Sequence, residues 1–123
     1  STFGGNPFAC TAGLTVAREI ERRGLLRHVE ERGQQLQRGL EALVARYPRV
    51  LQGVRGWGLL QGLVLHQDSG VTAPQLAKAA IEQRLLLVAA GATVLRMVPP
   101  LVISAHEVRQ LLKRLDATLA GLS

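Results

Sequence analysis

Val50-Leu51-Gln52-Gly53-Val54-Arg55-Gly56-Trp57-Gly58-Leu59-Leu60-Gln61-Gly62-Leu63-Val64-Leu65 breaks the helical pattern that precedes it. Two short apolar segments, 50–55 and 59–65, lie on either side of Gly56-Trp57-Gly58. Short aliphatic runs bounded by glycine read as strands, and glycine admits a bend between them. A strand pair is therefore predicted here, and the remaining segments must be fitted around it.

Upstream lie two helical patterns. Asn6 followed by Pro7 predicts a helix start, because asparagine caps free backbone N–H groups and proline suits the first helical position. That helix should run to about Arg23 and stop at Gly24. Its face of Ala9, Ala12, Gly13, Val16 and Ile20 is small at one end, which predicts a backbone packed closely against another part of a larger protein. A second helix is expected over about 25–47, where Val29, Gly33, Leu36, Leu40, Leu43 and Tyr47 form one stripe. Pro48 ends it.

Downstream, 66–72 reads as a polar loop. Thr72 with Gln75 fits a capping box opening a helix to about Arg84. Strands are expected at 85–88 and 94–98, joined by a turn and closed by Pro99-Pro100. Ser104 with Glu107 is a second capping box. The final helix carries Val108, Leu111, Leu112, Leu115, Leu119 and Leu122 on one face. The order is helix, helix, strand, strand, helix, strand, strand, helix, which predicts an α+β fold with a small sheet of about four strands covered by helices.

With 123 residues, 47% of them apolar, the chain can bury one core and is not disordered by composition. It has no run of eighteen apolar residues, so no membrane span is expected, and no signal-peptide pattern at its start. A lone cysteine, Cys10, cannot form an internal disulfide; a reducing, cytoplasmic setting fits. The net charge of +6 is scattered along amphipathic segments, and aromatic residues are only 3% of the chain. Neither a basic stripe nor a stacking platform is present, so no nucleic-acid partner is expected.

Few residues have the character of a site. Ser1 and Thr2 supply hydroxyls, Gly4 and Gly5 allow close backbone approach, and the helix beginning near Pro7 supplies a positive end; together they would suit a phosphate. On spacing alone an ordinary loop before a capped helix is the favoured explanation, since short glycine motifs recur without a ligand. Arg96 stands between apolar neighbours on a short strand. It could hold a carboxylate through two parallel hydrogen bonds, or it could be the charge on the outward face of an alternating strand, or one member of an ion pair. Cys10 reads as a packing residue. His28, His66 and His106 are not at metal-ligand spacing and read as surface or cap residues. Asp68 has no second carboxylate near it.

Three blocks add to this. Ser1-Thr2-Phe3-Gly4-Gly5-Asn6-Pro7-Phe8-Ala9-Cys10 resembles a segment shared by class III aminotransferases, most of all the branch acting on N-acetylornithine. Val54-Arg55-Gly56-Trp57-Gly58-Leu59 resembles a second family segment. Leu85-Leu86-Leu87-Val88, Gly91 and Val94-Leu95-Arg96-Met97-Val98-Pro99-Pro100-Leu101 resemble its final strand pair. The blocks fall in family order over nearly the whole chain.

The resemblance implies a fold and a set of roles. The chain would be the C-terminal part of a fold-type I enzyme dependent on pyridoxal phosphate. Residues 1–24 would be a phosphate loop and connecting helix from the large domain, and 25–123 the small domain. Thr2, with Ser1 beside it, would bind the cofactor phosphate of the neighbouring subunit in a homodimer. Arg96 would grip the carboxylate of the amino-acid or 2-oxo-acid substrate. Arg55 is carried over as structural only. Many relatives have an acidic residue where this chain has Val64, a position taken as structural. The implied reaction moves an amino group from N-acetylornithine to 2-oxoglutarate. Another class III substrate, such as ornithine, 4-aminobutyrate or succinyl-diaminopimelate, and a free-standing α+β binding module are the alternatives.

Transamination also needs a lysine that binds the cofactor covalently. Only Lys78 and Lys113 are present, both in predicted amphipathic helices and neither in a family motif. The chain is therefore expected to be a fragment that is inactive alone.

Overall fold

The computed structural model describes residues 4–122. Its elements follow the order expected from sequence: helices α1 (Pro7–Arg22) and α2 (Leu25–Arg46), strands β1 (Leu51–Trp57) and β2 (Leu60–Leu65), helix α3 (Ala73–Glu82), strands β3 (Val88–Ala89) and β4 (Val94–Met97), and helix α4 (Ala105–Leu122). A short 3₁₀ turn, Gln67–Ser69, adds to the loop before α3. The strands form one antiparallel sheet in the order β1-β2-β4-β3.

The helix starts follow their capping residues. Asn6 Oδ1 accepts from the Ala9 N–H at 2.7 Å. Thr72 and Gln75 exchange bonds of 3.0 and 3.3 Å, and Ser104 and Glu107 exchange bonds of 3.0 and 3.1 Å. Each box satisfies donors that an isolated helix end leaves open. Its cap holds the Glu107 carboxyl below the usual carboxylate range, chiefly through the bond from the Ser104 backbone.

Three boundaries differ from expectation. First, β1 continues past Arg55 through Gly56 and Trp57, and the hairpin loop is Gly58-Leu59. Gly58 takes the left-handed φ of 55° that glycine tolerates, while Leu59 turns into the core. Second, α3 ends at Glu82 rather than near Arg84, because Arg84 adopts a left-handed φ of 58°. The Arg84 and Leu85 N–H groups bond back to Ile81 and Ala80 oxygens, which closes a Schellman end without a glycine. Third, 85–87 is not strand; only Val88 and Ala89 pair, with Arg96 and Leu95.

One core joins the sheet to α2, α3 and α4. Leu36, Leu40, Leu51, Leu63, Leu65, Leu76, Leu95, Met97, Leu115 and Leu119 are its most enclosed large apolar residues. Helix α2 packs on β1 and β2, α3 on β3 and β4, and α4 packs against both α2 and α3. All three belong to the same core cluster as the inward strand residues. Two glycines set the α2 contacts. A Cβ on Gly33 would lie 2.6 Å from the Gly58 carbonyl oxygen, so the helix meets the hairpin loop backbone to backbone. Gly39 instead faces the Leu112 side chain of α4. At the far end of α2, Tyr47 donates its hydroxyl to Asp116 at 2.5 Å, and Arg46 reaches the same carboxylate at 2.7 Å.

Helix α1 does not join this core. None of its residues is buried, and Phe8, Leu14 and Val16 are exposed. Cys10, read from sequence as a packing residue, is exposed as well, because the small face of α1 has nothing laid against it among the described residues.

Candidate functional site

Apart from an irregularity between Leu51 and Gly53, the sheet alternates, so its register assigns each paired side chain to a face. Gln61 pairs with Met97 and Leu63 with Leu95; these four are buried beneath the helices. Their neighbours one position along point the other way. On that open face Arg55 stands opposite Gly62, Gly62 opposite Arg96, and Arg96 opposite Val88. One row thus crosses all four strands as Arg55, Gly62, Arg96, Val88.

Gly62, between the two arginines in this row, is buried. A Cβ there would come within 3.2 Å of Val94 Cγ1 and 3.6 Å of Arg55 Cγ. Arg55 and Arg96 both line a shallow pocket of about 370 Å³, floored by Gly56, Gly62 and Val94 and bounded by Leu60 and Ala90. Every other residue on this face of the strands is uncharged: Gly53, Trp57, Leu60, Val64, Val88 and Val94. Among the described residues, neither guanidinium has a hydrogen-bond or ion-pair partner. The ion pairs present lie elsewhere, at Glu19–Arg22, Arg27–Glu31 and Arg46–Asp116.

Arg96 is therefore an outward-facing charge, one of the two bland readings, but not a member of an ion pair among the described residues. Counting back from a bend centred on Gly56-Trp57 hides the row. Counting from the two-residue loop Gly58-Leu59 brings Arg55 opposite Gly62, and that is the signal the sequence held. Val64, at the position where the resemblance implies an acidic residue in many relatives, lies on this same face opposite Val94 and supplies no carboxylate.

The remaining sequence candidates are dispersed. Ser1 and Thr2 lie outside the described residues. Gly5, at their edge, has a left-handed φ of 85° and open space beside it. Lys78 and Lys113 are exposed on α3 and α4, the helices that cover the other side of the sheet. His28 is not a plain surface residue, for its Nε2 lies 2.6 Å from the Ile103 carbonyl oxygen and ties α2 to the segment before α4. The described residues contain no cluster of His, Cys, Asp or Glu able to hold a metal ion.

Residues 1–119 match the aminotransferase class-III family. The chain belongs to the class III aminotransferases. Among class III relatives, the acetylornithine aminotransferase of Parasynechococcus marenigrum (strain WH8102) is 89% identical over 122 residues, 99% of this chain and 29% of the relative. The crystal structure of N-acetylornithine aminotransferase from Stenotrophomonas maltophilia K279a superposes with a TM-score of 0.86 at 34% identity, over 97% of this chain and 32% of that one. The acetylornithine aminotransferase of Elizabethkingia anophelis superposes at 0.90 with 29% identity, over 98% and 30%. The class III chain thus spans less than a third of the length of these relatives, and its α+β unit is a recurring part of such enzymes.

Proposed function

We propose that this chain is part of an enzyme that transfers an amino group from N-acetylornithine to 2-oxoglutarate with pyridoxal phosphate as cofactor. The observation that carries this reading is the 89% identity, over nearly the whole chain, to a relative named acetylornithine aminotransferase. Residues 1–24 belong with the remainder of that enzyme and 25–123 form its small domain. The support is that the core begins at α2 while α1 has no buried residue.

The described residues around the opening loop suit a phosphate group. Helix α1 is 16 residues long, its first turn carries no acidic side chain, and its positive end follows Gly4-Gly5. Thr2 and Ser1 would add hydroxyl donors to a phosphate held by the neighbouring subunit of a homodimer. When bound, the cofactor supplies an electron sink for the carbon that bears the amino group. Arg96 would hold a substrate carboxylate through paired N–H donors and so orient that carbon. Its place on the open face, with no acid paired to it among the described residues, supports this role. A reducing, cytoplasmic setting fits such an enzyme. No helix among the described residues is long and apolar enough to cross a membrane.

The test is an assay of the full-length protein with both substrates, following glutamate. Formation of glutamate only with N-acetylornithine is expected. Glutamate formed from ornithine, 4-aminobutyrate or succinyl-diaminopimelate instead would assign it to another class III activity. No glutamate from any of them would overturn the enzymatic reading.

A further inference from the structure

We infer that Arg55 is a second carboxylate-binding residue, acting with Arg96 on one substrate carboxylate held in the shallow pocket that both line. The inference rests on the aminotransferase reading and extends it to a residue whose sequence context looked purely structural.

Two observations carry it. The register puts Arg55 and Arg96 in one row on the same face, each directly opposite Gly62. Neighbouring strands lie about 4.8 Å apart, so the two backbones are separated by roughly 10 Å. Each arginine side chain can span more than half of that gap, and the residue between them has no side chain to fill it. Both arginines also line the same shallow pocket.

The second observation is electrostatic. Two like charges set this close repel, and the surrounding Trp57, Leu60, Val64, Val88 and Val94 offer neither an acid nor a hydrogen-bonding side chain for a guanidinium. The described residues supply neither arginine with a partner. An anion between them removes the repulsion and satisfies both forks.

The experiment uses the full-length protein and glutarate, a dicarboxylate that has no group able to react. Binding is measured by calorimetry in wild type, Arg55→Gln, Arg96→Gln and the double variant, together with KM and kcat for 2-oxoglutarate. Arg55→Gln is expected to weaken glutarate binding about tenfold, in the range for loss of a charge-assisted hydrogen bond. KM should rise by a similar factor with a smaller change in kcat. In the double variant, losing Arg55 should add little to the loss of Arg96, since both act on one group. Arg55→Lys keeps the charge and guards against a folding failure of the glutamine variant. It should bind glutarate several-fold more weakly than wild type, because an ammonium does not reproduce the fork. Binding within twofold of wild type in both Arg55 variants would overturn the inference, as would fully additive losses. Wild-type activity on N-acetylornithine, scored separately, tells whether the aminotransferase reading itself has failed.

Discussion

Gly33→Ala gives the sharpest test of how α2 and the hairpin are held together. In an exposed helix the substitution would stabilise by roughly 0.5–1 kcal/mol, because alanine restricts the unfolded chain and favours helix. Here the new methyl would sit 2.6 Å from the Gly58 oxygen and 2.8 Å from its carbonyl and α carbons. Those are backbone atoms of a two-residue loop. The same oxygen already accepts from Gln61 Nε2 at 2.8 Å, so the loop cannot move away without stretching that bond. Overpacking against a fixed neighbour costs about 1–3 kcal/mol. Against the helix gain, the net expectation is a loss of about 1–2 kcal/mol. Gly39→Ala is the internal control. Its methyl would meet only the end of the Leu112 side chain, which is half-buried and can change rotamer at a cost of about 1 kcal/mol. That offsets the helix gain and leaves Gly39→Ala within about 0.5 kcal/mol of wild type. Urea unfolding followed by circular dichroism measures both, with equal slopes as the check on two-state behaviour. Fluorescence is the poorer probe, since the single tryptophan, Trp57, is already 90% exposed in the fold. If Gly33→Ala is as stable as Gly39→Ala, the backbone contact does not fix the hairpin and the reasoning fails.

Further outcomes follow from the caps and the open face. The Glu107 carboxyl is held below its ordinary range, so its contribution to the α4 cap is present above that range and is lost as pH falls through the lowered value. The Ser104 amide signal should titrate over that acidic window in the wild type and stay flat in Glu107→Gln, which keeps the cap but cannot ionise; a flat wild-type signal refutes this. Arg96→Gln should leave unfolding of the chain within about 0.5 kcal/mol of wild type, as expected for a surface change that breaks no contact; a larger loss would reveal a structural role. Thr2→Ala in the full-length protein should weaken cofactor retention about tenfold, the scale of one hydrogen bond to a charged group; unchanged retention in a cofactor titration removes Thr2 from the phosphate site.

Much of the fold was readable because its signals are local. A capping box involves residues three apart, and both predicted boxes form with both bonds in place. The α2 stripe is periodic over six turns, and Gly33, Leu36, Leu40 and Leu43 are buried as its spacing requires. The errors fall where a local signal is weak or misleading. Glycine in Gly56-Trp57-Gly58 marks a bend only at Gly58; at Gly56 it serves a φ of 135° inside the strand, where a Cβ would collide with the Leu60 carbonyl oxygen. The end of α3 has no glycine because Arg84 occupies the left-handed position itself, and Arg114 Nη1 donates to its carbonyl oxygen at 3.0 Å. Leu85-Leu86-Leu87 has strand composition, but only two residues beyond it find a partner, since β4 is four residues long.

Arg96 was evenly balanced in sequence between a bound carboxylate, an outward charge and an ion pair, and register narrows that choice where composition could not. Alternation along β4 says only that Arg96 and its neighbours face opposite ways. Which way requires the partner strands, and Leu63 against Leu95 with Gln61 against Met97 places the core on the other side. Facing outward would be an ordinary end to the matter if the face were solvated and polar. It instead carries two arginines that have no partner among the described residues, while the core lies on the opposite side. A surface that stabilises only its own fold has no reason to gather like charges without an acid among them. An anion bound between them, as inferred above for the substrate carboxylate, would account for two arginines that the described residues leave without an acid.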